Sequence, residues 1–396
     1  MSSFDPEAEK IYVTGMGAVT PYGAGVAPLW QGLLNGESCI SQFDRFALGG
    51  IACTQAGQIR GYTPPVPPHP LPRTDLATGF ALGAGAEAIA QAGGGTDGLG
   101  LITASNFGAL DEAEAALAGE LPPSALAAGM QSLCTERLAT AFALPGPTST
   151  MALSCAASAA ALAYAAGMLR AGRARRLLVV GYDALSRCAW SGLCALRTMT
   201  RDRVRPFDLN RSGTIFSEGA CALLLERGEV VRSRGATPLA ELVGWATGNN
   251  GFHMTAPPAR GAGSAHVMRQ AIAMSGLSPS FVDHVNAHGT GTKPNDLTEA
   301  QALSDIFGDR METLPVTSVK SSAGHLLGAA GGIEAIVSIL SLREGLIPPT
   351  ANFETPDPEA RVDLVAGAPR HVPLRAVLSN SAGFGGCNAA ALFTHA

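Results

Sequence analysis

Cys155 stands in Ser154-Cys155-Ala156-Ala157-Ser158, with small neighbours on both sides. A thiol in such a setting can be reached by a carbonyl carbon and can act as a nucleophile. Three glycine-rich polar clusters downstream carry more reactive groups. The first, Asn286-Ala-His-Gly-Thr-Gly-Thr292, holds His288, Thr290 and Thr292. The second, Lys320-Ser-Ser-Ala-Gly-His325, is followed by Glu334. The third is Gly383-Phe384-Gly385-Gly386. One cysteine, two loop histidines, a lysine and a glutamate in such surroundings point to covalent catalysis. Singly, each has a plainer reading. A cysteine in an alanine-rich run is more often a space-filler. Lys320 and Glu334 could be an ordinary buried ion pair, and the threonines could cap a loop. His284, on an apolar strand, reads as structural.

The elements around these residues follow from pattern. Thr150 to Leu153 reads as a short buried strand, and the residues after Cys155 are strong helix formers. The thiol then sits where a strand turns into a helix. Unpaired N–H groups there favour the thiolate. Ile11–Thr20 reads as a strand entering a tight turn. Its Gly15 and Gly17 lack the third glycine and distal acid of a dinucleotide fingerprint. Trp30 to Leu34, residues 74–92 and residues 110–143 read as helical, the last broken at Pro122-Pro123. Thr63 to Pro72 is a rigid proline-rich connector. Leu99–Ala104, Arg175–Asp183 and Ala220–Glu226 read as buried strands, and His325 opens a helix after Lys320. A boundary near Gly235-Ala-Thr-Pro238 divides the chain into 9–235, with the cysteine, and 236–396, with the His/His/Lys cluster. Strands alternating with helices imply an α/β fold.

Composition narrows the function. The 396 residues are 46% hydrophobic and 15% charged, with a net charge of −5, which argues against nucleic acid as a partner. Eight cysteines without a CxxC pair or a His/Cys ligand spacing indicate neither a zinc site nor a disulfide framework. Residues 151–169 are free of charge but mostly Ala and Ser, so they read as a core helix and no membrane span is expected. The acidic N-terminal stretch is not a signal peptide. Reduced thiols in a cytoplasmic enzyme are expected.

With these motifs in this order, the chain resembles a β-ketoacyl-[acyl carrier protein] synthase of the elongating, condensing class, in the thiolase superfamily. The likeness runs from about Ile11 to Phe393. It implies a thiolase-like five-layered αβαβα fold of two duplicated halves. It also implies decarboxylative Claisen condensation of a cysteine-bound acyl chain with a malonyl-carrier thioester, in fatty-acid or polyketide-type biosynthesis. Cys155 would hold the acyl chain. The N–H groups of Cys155 and Phe384 would form an oxyanion hole, and Phe384 would gate the two steps. His288 and His325 would stabilise the enolate, Lys320 would tune and position His325, and Glu334 would hold Lys320. Thr290 and Thr292 would bind the phosphopantetheine arm, and Phe107 would close or reshape the acyl tunnel. No metal and no permanently bound cofactor are implied, since the substrates ride on the phosphopantetheine of an acyl carrier protein. The implied partners are that carrier and a second subunit, in a homodimer or a heterodimer with a paralogous synthase.

The chain departs from the family at Ala157-Ser158, Ala382 and Cys387, which bear on pocket shape. Carrier proteins are acidic and seek a basic rim. The region before residue 80 is poor in Lys and Arg, with Arg73 singled out. Arg197, Arg201, Arg203, Arg205 and Arg211 are the alternative, unless they form internal salt bridges. Two other readings stay open. One is coenzyme A-dependent thiolase-type acyl transfer with Cys387 as the second cysteine. The other is a synthase subunit that acts only with a chain-length-factor-like paralogue.

Overall fold

The computed structural model describes residues 9–396; the first eight residues of the acidic N-terminal stretch lie outside the described residues. Buried apolar strands set the frame. β1 (Ile11–Thr20), β2 (Leu99–Ala104), β3 (Thr148–Met151), β4 (Arg176–Asp183) and β5 (Gly219–Arg227) lie side by side in the order β3-β2-β4-β5-β1. The first three are parallel to one another; β5 is antiparallel to β4 and to β1. The rest of the chain repeats the pattern. β6 (Ala240–Asn249), β7 (His284–Asn286), β8 (Pro315–Thr317), β10 (Ala376–Ala382) and β11 (Cys387–Thr394) follow the order β8-β7-β10-β11-β6, with β9 (Asp363–Leu364) outside β8. Parallel and antiparallel neighbours fall in the same places. The two sheets meet only where Tyr12 pairs with Glu241 and Val13 with Ala240.

Five helices make the other layers: α1 (Leu76–Gln91), α2 (Ala157–Arg170), α3 (Ala262–Ser275), α4 (Lys293–Phe307) and α5 (Ala330–Glu344). Both α2 and α5 lie between the sheets, α2 against β4 and β11, α5 against β5 and β10. α1 covers the outer face of the first sheet, and α3, backed by α4, covers that of the second. The result is the expected αβαβα stack. Small residues let the layers close. A Cβ on Gly15 or Gly17 would lie 2.0 Å from the carbonyl of Ala88 or Ala84 on α1, and one on Gly244 equally near Ala271 on α3. The two N-terminal glycines therefore serve helix-on-sheet contact.

Some elements differ from expectation. Residues 110–143 resolve into Leu110–Leu117, a 3₁₀ stretch Pro123–Gly129 and Gln131–Ala141. β3 is half-exposed rather than buried, because it is the outermost strand of its sheet. His325 does not open a helix. Lys320–Ala323 makes one turn, Gly324 takes φ 72°, and His325 then runs extended beside Phe216, so that the long helix begins only at Ala330.

Candidate active site

The strand ends of both sheets converge on one cavity of about 360 Å³, lined among others by Cys155, His288, Thr290, Thr292, His325 and Phe384. Cys155 lies on the 3₁₀ turn Ser154–Ala156 that enters α2, as the sequence predicts, and Ser154 takes φ 50° to make the bend. The turn Gly383–Gly386 abuts it. A Cβ on Gly383 would lie 3.1 Å from the Cys155 nitrogen, so glycine lets the two turns close tightly. The thiol itself departs from expectation. Burial pushes it up to about 12, although Lys320 and the Phe384 N–H act in the opposite direction. Taking the sulfur out of water outweighs the helix terminus.

The loop after β7 presents His288. Glu299 on α4 fixes it, accepting the N–H groups of His288 (2.7 Å) and Gly289 (2.8 Å) and the Asn380 amide (2.7 Å). Asp296 accepts from Phe207 (2.8 Å) and Gly291 (3.2 Å) in the same way. Lys320 is buried and ion-paired with Glu334. Its Nζ also donates to the His288 carbonyl (2.6 Å) and lies 3.2 Å from His288 Nδ1. Lys320 therefore positions His288, not His325 as expected from sequence; its turn points along β8 toward the β7 loop. His325 is held by backbone instead: its Nδ1 accepts the Leu327 N–H at 3.1 Å.

These contacts set the tautomers. An ammonium can only donate, so His288 Nδ1 must accept. His325 Nδ1 accepts as well. Both neutral rings then carry their proton on Nε2, and His325 Nε2 is buried without a partner among the described residues. The rings stand nearly perpendicular with centroids 5.4 Å apart. Burial first, then the Lys320 charge, pushes both imidazoles well below 6.5; His325 adds to the shift of His288. Both are neutral at physiological pH. The arrangement is a buried nucleophile beside two neutral hydrogen-bond donors.

Other predicted residues distribute differently. Thr290 and Thr292 bond each other through their hydroxyls (2.8 Å). Phe107 does not line this cavity; it packs half-buried against the apolar cluster that contains Phe43, Trp190, Phe216 and Leu327. Its loop is clamped by Asp183, which accepts from Ser105 (2.7 Å), Phe107 (2.9 Å) and Gly328 (2.7 Å). Cys387 is also absent from the lining and packs on the small-residue cluster of Ala156, Ala159, Ala160 and Ala389, behind the nucleophile turn. His284 is structural, its Nδ1 bonded to the Pro315 carbonyl at 2.9 Å. Arg205 and Arg211 are engaged internally, with Asp202 and with Asp357. Arg201 and Arg203 are exposed and form no ion pair among the described residues. Asp183 and Glu299 were not singled out from sequence. The available signals were an acid ending an apolar strand and two acids one turn apart after the His-Gly-Thr-Gly-Thr run.

A nucleophilic turn facing paired donor imidazoles across two duplicated sheets defines a thiolase-like condensing enzyme. Comparison with known proteins agrees. Residues 8–230 match the family described as "Beta-ketoacyl synthase, N-terminal domain" and residues 239–354 the "Beta-ketoacyl synthase, C-terminal domain". The 3-oxoacyl-[acyl-carrier-protein] synthase 2 of Synechocystis sp. is 33% identical over 408 residues, covering 98% of each chain. The ishigamide ketosynthase/chain length factor superposes with a TM-score of 0.91 at 31% identity, over 98% of this chain and 99% of the other. A type II polyketide ketosynthase bound to its acyl-carrier protein (AntDE:AntF) gives 0.87 at 27% identity, over 98% and 99%. The chain belongs to the β-ketoacyl synthase family, whose members carry out carrier-protein-dependent Claisen condensation in fatty-acid or polyketide synthesis. Among the described residues, no helix is long and apolar enough to cross a membrane.

Proposed function

We propose that Cys155, His288 and His325 carry the two half-reactions. Cys155 sulfur attacks the acyl thioester, the tetrahedral oxyanion taking the N–H groups of Cys155 and Phe384. The carrier thiol leaves with the proton that Cys155 gives up. Malonyl thioester then loses CO2, and the enolate oxygen takes the Nε2–H of both histidines. The enolate carbon attacks the acyl-Cys155 carbonyl, the C–S bond breaks, and the cysteine sulfur takes a proton from solvent, replacing the one that left with the carrier thiol. Lys320 keeps His288 in its donor tautomer, and Glu334 balances the buried ammonium. The observation that carries this reading is that both Nδ1 atoms are occupied, which leaves both Nε2–H groups free at the cavity. Purified protein given acyl-carrier and malonyl-carrier should yield a β-ketoacyl-carrier by mass spectrometry. Cys155→Ala should yield none; a product that survives this change overturns the reading.

Thr290 and Thr292 serve the phosphopantetheine arm, Phe384 gates the passage from acylation to condensation, and Phe107 shortens or reshapes the acyl pocket. The halves divide at 235/236, and the enzyme works in the cytoplasm without a resident cofactor. A second synthase-fold subunit, identical or paralogous, covers the open edge of β3. Beside that edge lies an apolar groove that includes Met151, Leu153, Tyr164 and Trp245. The carrier protein docks on Arg201 and Arg203, with Arg197 at the cavity wall. Charge reversal at Arg201 and Arg203 should weaken carrier-dependent turnover by about tenfold and leave acylation by a small thioester mimic intact. Equal loss of both would place docking elsewhere. The position of Cys387 behind the nucleophile turn speaks against thiolase-type acid–base use of that thiol.

A further inference from the structure

Two buried hydroxyls in the cavity wall are left unused by this mechanism. Thr198 and Thr214 both line the cavity that holds Cys155, His288 and His325. Their Oγ1 atoms are buried and have no hydrogen-bond partner among the described residues. Such groups are rare, because each forfeits its bonds to water. They stand on neighbouring segments: the Thr214 N–H donates to the Thr198 carbonyl and the Thr200 N–H to the Thr214 carbonyl, each at 2.9 Å, which sets Thr214 opposite Met199. The same segment runs along His325, whose N–H donates to the Ile215 carbonyl at 2.8 Å. Two residues beyond Thr214, Phe216 places its ring 5.6 Å from that of His325. The two hydroxyls thus share one cavity with an imidazole that also lacks a partner at Nε2 among the described residues.

We propose that Thr198 and Thr214 form a specificity subsite for the carboxylate of the malonyl-type extender. This rests on the reading of His288 and His325 as the enolate donors. An extender has two oxygen-bearing ends, a thioester carbonyl and a carboxylate. With the carbonyl on the two imidazoles, the carboxylate needs donors nearby that are neither cations nor water. Two neutral hydroxyls fit. They orient the anion by hydrogen bonds while adding no countercharge that would hold it against loss of CO2. An acyl group for loading has no such second end and does not use them.

The test compares Thr214→Val, Thr198→Val and the conservative Thr214→Ser with the unaltered enzyme, using purified acyl-carrier and malonyl-carrier. A hydrogen bond to a charged group lost without replacement corresponds to roughly tenfold or more. The valine variants should raise KM for malonyl-carrier at least about tenfold. Acyl loading of Cys155 should stay within about twofold, and Thr214→Ser should recover most of the loss. An equal rise in KM for both carriers would mean that the hydroxyls bind the arm common to both, and overturns the proposal. So does an unchanged KM for malonyl-carrier in a folded variant, checked by its melting curve. If the unaltered enzyme forms no condensation product at all, it is the underlying reading that fails.

Discussion

The two halves of the molecule share strand order and direction but use the same strand ends for different purposes. After β3 the chain turns into α2 and presents Cys155; after β8, at the matching place, it presents Lys320 and His325. After β2 comes the Phe107 loop; after β7 comes His288. β4 ends on Asp183, and β10 runs into the Phe384 turn. In each half a buried carboxylate fastens the loop backbone. Asp183 does so for Asn106 and Phe107, Glu299 for His288 and Gly289. The first half therefore supplies one nucleophile and a rigid wall, and the second supplies the charge-stabilising chemistry. The lesson is that the scaffold delivers strand-end loops of both halves to one cavity and leaves their chemistry to a few side chains.

The sharpest way to break the comparison is to remove the donors of the second half alone. His325→Ala or His288→Ala should cut malonyl decarboxylation and condensation by roughly 10²–10³-fold, the usual cost of one oxyanion donor. Loading of Cys155, which the first half and Phe384 support, should fall less than about tenfold. Mass spectrometry of the acyl-enzyme and CO2 release separate the two. Equal loss in both steps would mean that the histidines serve the nucleophile.

The buried ion pair has no counterpart at the matching strand end of the first half. Lys320→Met strips the buried Glu334 carboxyl of its cation and leaves it only the Ser381 hydroxyl, at a cost of about 3–5 kcal/mol in denaturant unfolding. The double change Lys320→Met with Glu334→Gln should recover much of it. The same variant tests the pH behaviour. Both imidazoles are held well below 6.5, so the neutral donor form persists as pH falls, and decarboxylation should hold its rate down through pH 6.5. Without the Lys320 charge their affinity for protons rises. The acid limb should then move upward in the pH–rate profile of a folded Lys320→Met enzyme. No movement would separate Lys320 from the histidines.

The two clamps should cost less in rate than the histidines themselves. Asp183→Ala and Glu299→Ala each strand several buried N–H donors, at about 1–3 kcal/mol for each group left unsatisfied. Glu299→Ala should also lower decarboxylation, because His288 loses its backbone anchor, whereas Asp183→Ala should act on stability and on the Phe107 loop. Thermal melting with partial-reaction assays distinguishes them.

How much of this was legible follows from the same residues. Cys155 showed itself because small residues and helix formers surround it, and the His288, His325 and Phe384 motifs because glycine-rich polar runs interrupt apolar strands. Spacing did not reveal that Lys320 contacts His288, since that depends on Gly324 ending the turn and sending His325 along Phe216. Nor did it reveal Asp183 and Glu299, whose partners are backbone N–H groups from distant loops. The state of the thiol differs from the sequence expectation for a physical reason: a helix terminus is visible in sequence, while burial of the sulfur belongs to the packed structure.

The smallest expected effect concerns Phe107, where the first half shapes substrate rather than chemistry. Phe107 packs on the apolar cluster to which Phe216 belongs, and Phe216 in turn borders the cavity. Phe107→Ala should open space behind that ring at modest cost, because the side chain is only half-buried and its loop stays fixed by Asp183. Acyl loading should shift toward longer chains by a few-fold, about what one or two buried methylenes contribute. Decarboxylation, which depends on the second half, should not change. Mass spectrometry of acyl-enzyme formed from a short and a long acyl thioester in competition reads the ratio directly. An unaltered ratio would mean that the tunnel does not pass Phe107. A parallel loss of decarboxylation would mean that the two halves are coupled through Phe216, whose ring touches both the aromatic cluster and His325.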